Sequence, residues 1–174
     1  MSLAILLVLA ACAVAVVTDV RARRIPNLLT GALALAALGF AGFQGAIAFF
    51  TCAGLMVGVL LVGFVAFSLG WLGGGDVKLL AAAGGALGTH DVVAFLLYTA
   101  IGGGILAVAV TLATGRTRAV ASSVAGLVRP FAVAGTASQA PVRPTMLPYA
   151  VAIAFGAVAV ALSHSAAPFL RLPL

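Results

Sequence analysis

Residues 3–27 read LAILLVLAACAVAVVTDVRARRIPN. Nothing from Leu3 to Val17 is more polar than a thiol. Then come Thr18, Asp19, the basic cluster Arg21, Arg23 and Arg24, and the closing Ile25-Pro26-Asn27. An apolar run that ends in a basic cluster is the signature of a helix that crosses a bilayer and stops at the cytoplasmic headgroups. The pattern recurs downstream. Further apolar segments cover 28–43, 46–69, 77–88, 92–113 and 147–162. The chain is 64% hydrophobic and 7% charged, against about 25% charged in an ordinary soluble domain. It therefore reads as an all-α membrane protein, a polytopic helical bundle of about six transmembrane helices forming one domain over residues 1–174. Several segments fall short of the ~20 residues of a straight crossing. Such segments thin the bilayer locally, extend into polar neighbours or start below the surface.

The charges orient the bundle. With the N-terminus outside and spans alternating, Arg21, Arg23, Arg24, Lys78, Arg116, Arg118, Arg129 and Arg143 fall on one side and only Arg171 on the other. This asymmetry assigns the basic side to the cytoplasm. A pI near 10.8 invites a nucleic-acid partner, but the arginines are strung between apolar runs rather than gathered in a patch with aromatics, so no nucleic acid is expected. Leu9-Ala-Ala-Cys12 resembles a cleavage box. No basic residue precedes it and three arginines follow, which favours a retained span. Cys12 and Cys52 lie within apolar runs without metal spacing and read as buried small hydrophobes. Gly54/Gly58 and Gly84/Gly88 have the spacing of close helix packing. The polar stretch 114–146 is a cytoplasmic loop. Its Val120, Val124, Leu127 and Val128 share one helical face, which fits a short helix on the leaflet or an irregular loop equally.

Only three acidic residues exist, all Asp, and there is no Glu. Asp91 belongs to an outer loop with His90, too few ligands for a metal. Asp19 and Asp76 fall on the cytoplasmic face, each at a span end. A carboxylate beside hydrocarbon is costly and marks a functional site by default. Asp76 ends Gly73-Gly74-Gly75-Asp76; if Val77 opens a helix, Asp76 is either its N-cap or an acid beside a backbone that glycine lets approach. An exposed pairing of Asp19 with a neighbouring Arg would contribute little. Two neighbouring carboxylates cannot both ionise easily, so one keeps a proton while the other acts as base on a shared water. That is aspartic protease chemistry, with no metal or cofactor required. Lys78 could tune the pair, meet a substrate carboxylate or anchor at the interface. Asn27 could bond Asp19 or substrate, or serve a turn after Pro26. Trp71 reads as an interfacial aromatic.

Gly73–Asp76 matches the GxGD signature of membrane aspartic proteases. The run from Gly73 to Ala81, together with Asp19 and Ile25-Pro26-Asn27, resembles the type IV prepilin peptidase family. Pro148-Tyr149-Ala150, opening the last segment, is similar to a Pro-aromatic-small element of that family. The resemblance implies Asp19 and Asp76 as the catalytic pair, supported by Gly73, Gly74, Gly75, Lys78, Ile25, Pro26, Asn27 and Pro148. It implies an endopeptidase of the bacterial inner membrane that serves type IV pilus assembly. Its partners would be prepilins or pseudopilins, whose basic leaders it removes at the cytoplasmic face, and membrane lipid. The short form resembles peptidases of the Tad (Flp) pilus systems. Longer members carry cysteine pairs and N-methylate the new terminus; those cysteines have no counterpart here, so methyl transfer is not carried over. Competing readings are a GxGD protease acting on other transmembrane helices and a small proton-coupled transporter in which the Asp pair relays protons.

Overall fold

The computed structural model describes residues 3–113 and 149–165. Among them six helices occur, the first five joined by short connections: α1 Leu3–Ala22, α2 Asn27–Gln44, α3 Ala46–Ser68, α4 Gly74–Leu87, α5 Thr89–Ala113 and α6 Tyr149–Ser165. The all-α bundle read from the sequence is the observed fold. α1, α2, α3 and α5 are each long and apolar enough to cross a membrane. Compact packing divides the chain into residues 1–103 with 148–174, and residues 104–147. Of the second unit only 104–113, the end of α5, is described, and it is helical. The expected interfacial helix within 114–146, and Pro148, lie outside the described residues.

α4 is the innermost helix of the larger unit. It packs on α1, α2, α3 and α6, and eight of the nine residues from Val77 to Gly85 are buried, all but Lys78. Its 14 residues rise about 21 Å at 1.5 Å each, less than the ~30 Å hydrocarbon core. Because neighbouring helices rather than lipid surround it, its short length leaves no polar backbone in hydrocarbon. The core around it is made of small and β-branched side chains with Leu79, Phe95 and Ile153 fully buried among them. Cys12 and Cys52 are free and buried, as their apolar surroundings require.

Several boundaries differ from those expected. α1 continues five residues beyond Val17, so Asp19 sits inside its last turn rather than after it. Arg23, with φ of 50°, then turns the chain out of the helix while its N–H still reaches the Asp19 carbonyl at 2.8 Å. Pro26 caps α2 in an extended conformation, its carbonyl accepting from Leu29 and Thr30. α4 begins at Gly74, ahead of Val77. His90 and Asp91 belong to the first turn of α5, not to a loop, because Gly88 alone, with φ of +81°, joins α4 to α5.

Glycine spacing overstated the packing. A Cβ on Gly54 or Gly58 would meet nothing within 4 Å. A Cβ on Gly84 would lie 3.1 Å from Val92 and 3.2 Å from Val59, and one on Gly63 only 2.7 Å from Val77. The close seams are therefore α3 with α4 and α4 with α5. α5 and α6 also meet at glycine: Gly156 faces the Phe95 carbonyl, 2.9 Å from where its Cβ would be. The Thr99 hydroxyl is buried in that seam without a partner among the described residues.

A Gly63→Ala change should lower stability by about 1–3 kcal/mol, because buried Val77 is β-branched and cannot swing aside. Gly58→Ala, placed in open space, should be neutral or slightly stabilising through helix propensity. Thermal unfolding in detergent micelles checks both; equal effects would refute the assignment of the tight seam.

Candidate active site

Two chain segments far apart in sequence meet at one end of the bundle. The first is the exit from α1 and entry into α2. Pro26 prevents α1 from running on into α2 and biases Ile25 toward extended backbone. Ile25 turns inward and packs against the core. The second is the glycine turn into α4. A Cβ on Gly75 would lie 3.1 Å from the Ile25 Cβ and 3.6 Å from its carbonyl oxygen. Ile25 therefore occupies the space that a side chain at 75 would need. Lys78 Nζ donates to Asn27 Oδ1 at 2.9 Å, tying the same two segments again. Lys78 thus holds Asn27 rather than an acid, and Asn27 bonds Lys78 rather than Asp19.

The glycines before Asp76 serve different ends. Gly73 is the N-cap of α4 and Asp76 its third helical residue. Asp76 is thus not the N-cap expected from Val77. Its carboxylate instead reaches back to accept the Gly73 N–H at 3.2 Å, which is the N3 half of a capping box. A Cβ on Gly73 would sit 2.7 Å from that same carboxylate oxygen, so only glycine leaves room for the bond. Gly74 makes only ordinary contact with Phe67, at 3.6 Å from a built Cβ. Ile25 lies beside Gly75 and the Asp76 carboxylate beside Gly73.

Asp19 is half-buried, and its carboxylate accepts the Ala150 N–H at 3.3 Å, in the first turn of α6. A free amide and the positive end of the helix dipole both favour an anion there. Among the described residues no ion pair joins Asp19 to Arg21, Arg23 or Arg24; these arginines are exposed. Asp76 lies just ahead of the apolar segment that opens at Val77. Burial, and next the negative charge of Asp19, push its carboxyl up to about 6, against a smaller lowering by the Gly73 N–H. The two aspartates are therefore within electrostatic reach of each other. Tyr149 is within reach of the Asp76 charge as well, and its hydroxyl occupies the space a Cβ on Gly103 would take, 2.7 Å away. Of the Pro-aromatic-small element, Tyr149 and Ala150 are described, and both adjoin the acids.

The third acid lies elsewhere. Asp91 receives His164 Nε2 at 2.9 and 3.0 Å, linking the start of α5 to the end of α6. Among the described residues no three His, Cys, Asp or Glu side chains gather as metal ligands.

A family model described as the type IV leader peptidase family matches residues 6–108, more than half of the chain and both aspartate motifs. The chain belongs to the type IV leader peptidase family. It is accordingly a peptidase, and the resemblance carried by the Asp19 and Gly73–Ala81 motifs was to the right family. No curated protein and no solved structure matches it. The family match stops short of α6, so the contacts of Tyr149 and Ala150 with the acids are visible only in three dimensions.

An acid whose carboxyl is raised on folding holds its proton more tightly when folded. Its ionisation then costs stability, beginning as pH rises through the unfolded value near 4 and complete above about 6. Asp76→Asn removes that cost. The variant should melt higher than the parent at pH 7.5, by an amount that shrinks between pH 6 and pH 4. A constant difference across that range would show that Asp76 is not raised by its surroundings.

Proposed function

We propose that this peptidase is an aspartic endopeptidase that removes the basic leaders of type IV prepilins or pseudopilins at the cytoplasmic face of the bacterial inner membrane. The observation that carries this reading is the convergence of Asp19 and Asp76, from separate motifs, near enough for the charge of one to raise the carboxyl of the other. Asp76 is the member suited to carry the shared proton, and Asp19 the base. Asp19 takes a proton from a water held between the two carboxyls, and the oxygen attacks the scissile carbonyl. Asp76 donates its hydrogen bond to that carbonyl oxygen as negative charge develops there. Collapse of the tetrahedral intermediate passes a proton to the leaving amine. Tyr149 stands beside Asp76 and can donate to the same oxyanion.

The topology supports the assignment to the inner face. Asp19 bonds the first turn of α6, Asn27 bonds Lys78 near the start of α4, and Asp91 bonds the last turn of α6. These three contacts pair helix ends as strict alternation of six crossings requires. The same alternation puts eight of nine basic residues on the side of Asp19 and Asp76. A basic leader would find its only negative charges there at the two acids. A proton relay for transport would be expected nearer mid-membrane than these helix ends.

The test is leader removal from a candidate prepilin by the purified protein in proteoliposomes. Asp19→Asn and Asp76→Asn, each alone, should lower kcat by about 10²–10⁴-fold while the protein still inserts and melts cooperatively. Cleavage within threefold of the parent in either variant would remove that residue from the mechanism.

A further inference from the structure

A second feature lies on the other side of α4 from Asp76. Two residues along a helix rotate the side chain by about 200°, so Lys78 faces away from the acids. It stands at the end of a cavity of about 350 Å³ between α2 and α3, floored by Ala81 and Ala82 of α4. Gly31, Ala34, Met56 and Leu60 wall it. Apart from the threonine whose hydroxyl is spent on the Asn27 carbonyl, its polar groups are Lys78 and Asn27 alone. Both α2 and α3 are long apolar helices, and Leu60 and Val57 at the cavity are exposed. The cleft thus opens sideways, onto what would be hydrocarbon.

The polar end has a definite charge preference. Lys78 is exposed and, among the described residues, pairs with no carboxylate. One of its three donors goes to Asn27 Oδ1, which fixes the Asn27 amide with its NH₂ free to donate. An ammonium and an amide NH₂ side by side offer only donors. They suit an oxyanion and provide nothing for a choline ammonium. We propose that this cleft binds one anionic phospholipid, with an acyl chain between α2 and α3 and the phosphate on Lys78 and Asn27. A basic leader would be repelled here, so the cleft is separate from the path of the substrate. Asn27 lies two residues after Ile25, so a lipid seated here would brace the segment that packs on Gly75. A cytoplasmic leaflet rich in anionic lipid supplies the ligand.

The experiment is native mass spectrometry of the full chain released from micelles containing phosphatidylglycerol and phosphatidylcholine with identical acyl chains, in equal amounts. The parent should retain one phosphatidylglycerol in preference to phosphatidylcholine. Lys78→Gln should cut that preference by about fivefold, the worth of one lysine at an anionic surface. Gly31→Leu should abolish retention of either lipid. A Cβ at Gly31 meets nothing within 4 Å, so the longer side chain fills the cleft without disturbing the fold, which an unchanged melting temperature would verify. Equal retention of the two lipids by the parent, or parent-like preference in Lys78→Gln, overturns the proposal. So does displacement of the lipid by a prepilin-derived apolar peptide, which would give the cleft to substrate. None of these readouts requires peptidase activity, so the outcome stands apart from that of the aspartate variants.

Discussion

Ile25 packs where a side chain on residue 75 would begin, and the rest of the site follows from that contact. The segment after Asp19 is drawn against the turn before Asp76 only because residue 75 is glycine and residue 25 is held out of helix by Pro26. A β-branched side chain at 25 is stiff, so the contact sets a distance rather than permitting a range. The Lys78–Asn27 bond, one turn further along, fixes the remaining rotation. Both contacts tie the segment after Asp19 to the start of α4. An acid pair that repels itself when ionised needs this kind of external restraint.

The same arrangement explains why the shortest helix lies at the centre. A helix surrounded by protein needs no length to satisfy the bilayer. Asp76, in its first turn, is half-buried yet still at a helix start, where free N–H groups and the dipole make a carboxylate tolerable. Burial raises its proton affinity and the Gly73 N–H limits the rise. The balance leaves the group near 6, which suits the proton-holding role proposed for it.

How legible this was depended on the range of each interaction. Apolar runs are local and cumulative, so the helices and the membrane class could be read directly. The aspartate motifs stood out because acids are so scarce here. Helix boundaries were not: hydropathy ends α1 at Val17, yet hydrogen bonding carries it through Asp19 to Ala22, because a charged residue at a helix end costs little in propensity. Gly54 and Gly58 share the spacing of Gly84 and Gly88, yet of the four only Gly84 meets a close neighbour. Spacing marks a helix face and leaves the occupant of that face unstated. Lys78 to Asn27, Asp19 to Ala150 and Asp91 to His164 are long-range pairings that no local pattern encodes.

The Asp19–Ala150 bond gives the first aspartate a structural duty alongside its proposed chemical one. It holds the start of α6, which brings Tyr149 toward Asp76 and seats the Tyr149 ring against Gly103. Three helices therefore end at one place for one electrostatic reason. α4 and α6 each direct free amides at a carboxylate, and α1 supplies one of the two acids. The dipoles lower the cost of gathering negative charge at the edge of an apolar bundle. Taking away α6 would remove more than packing. Asp19 would lose the amide that holds it, and the polar end of the bundle would be left with two acids and fewer donors to receive them.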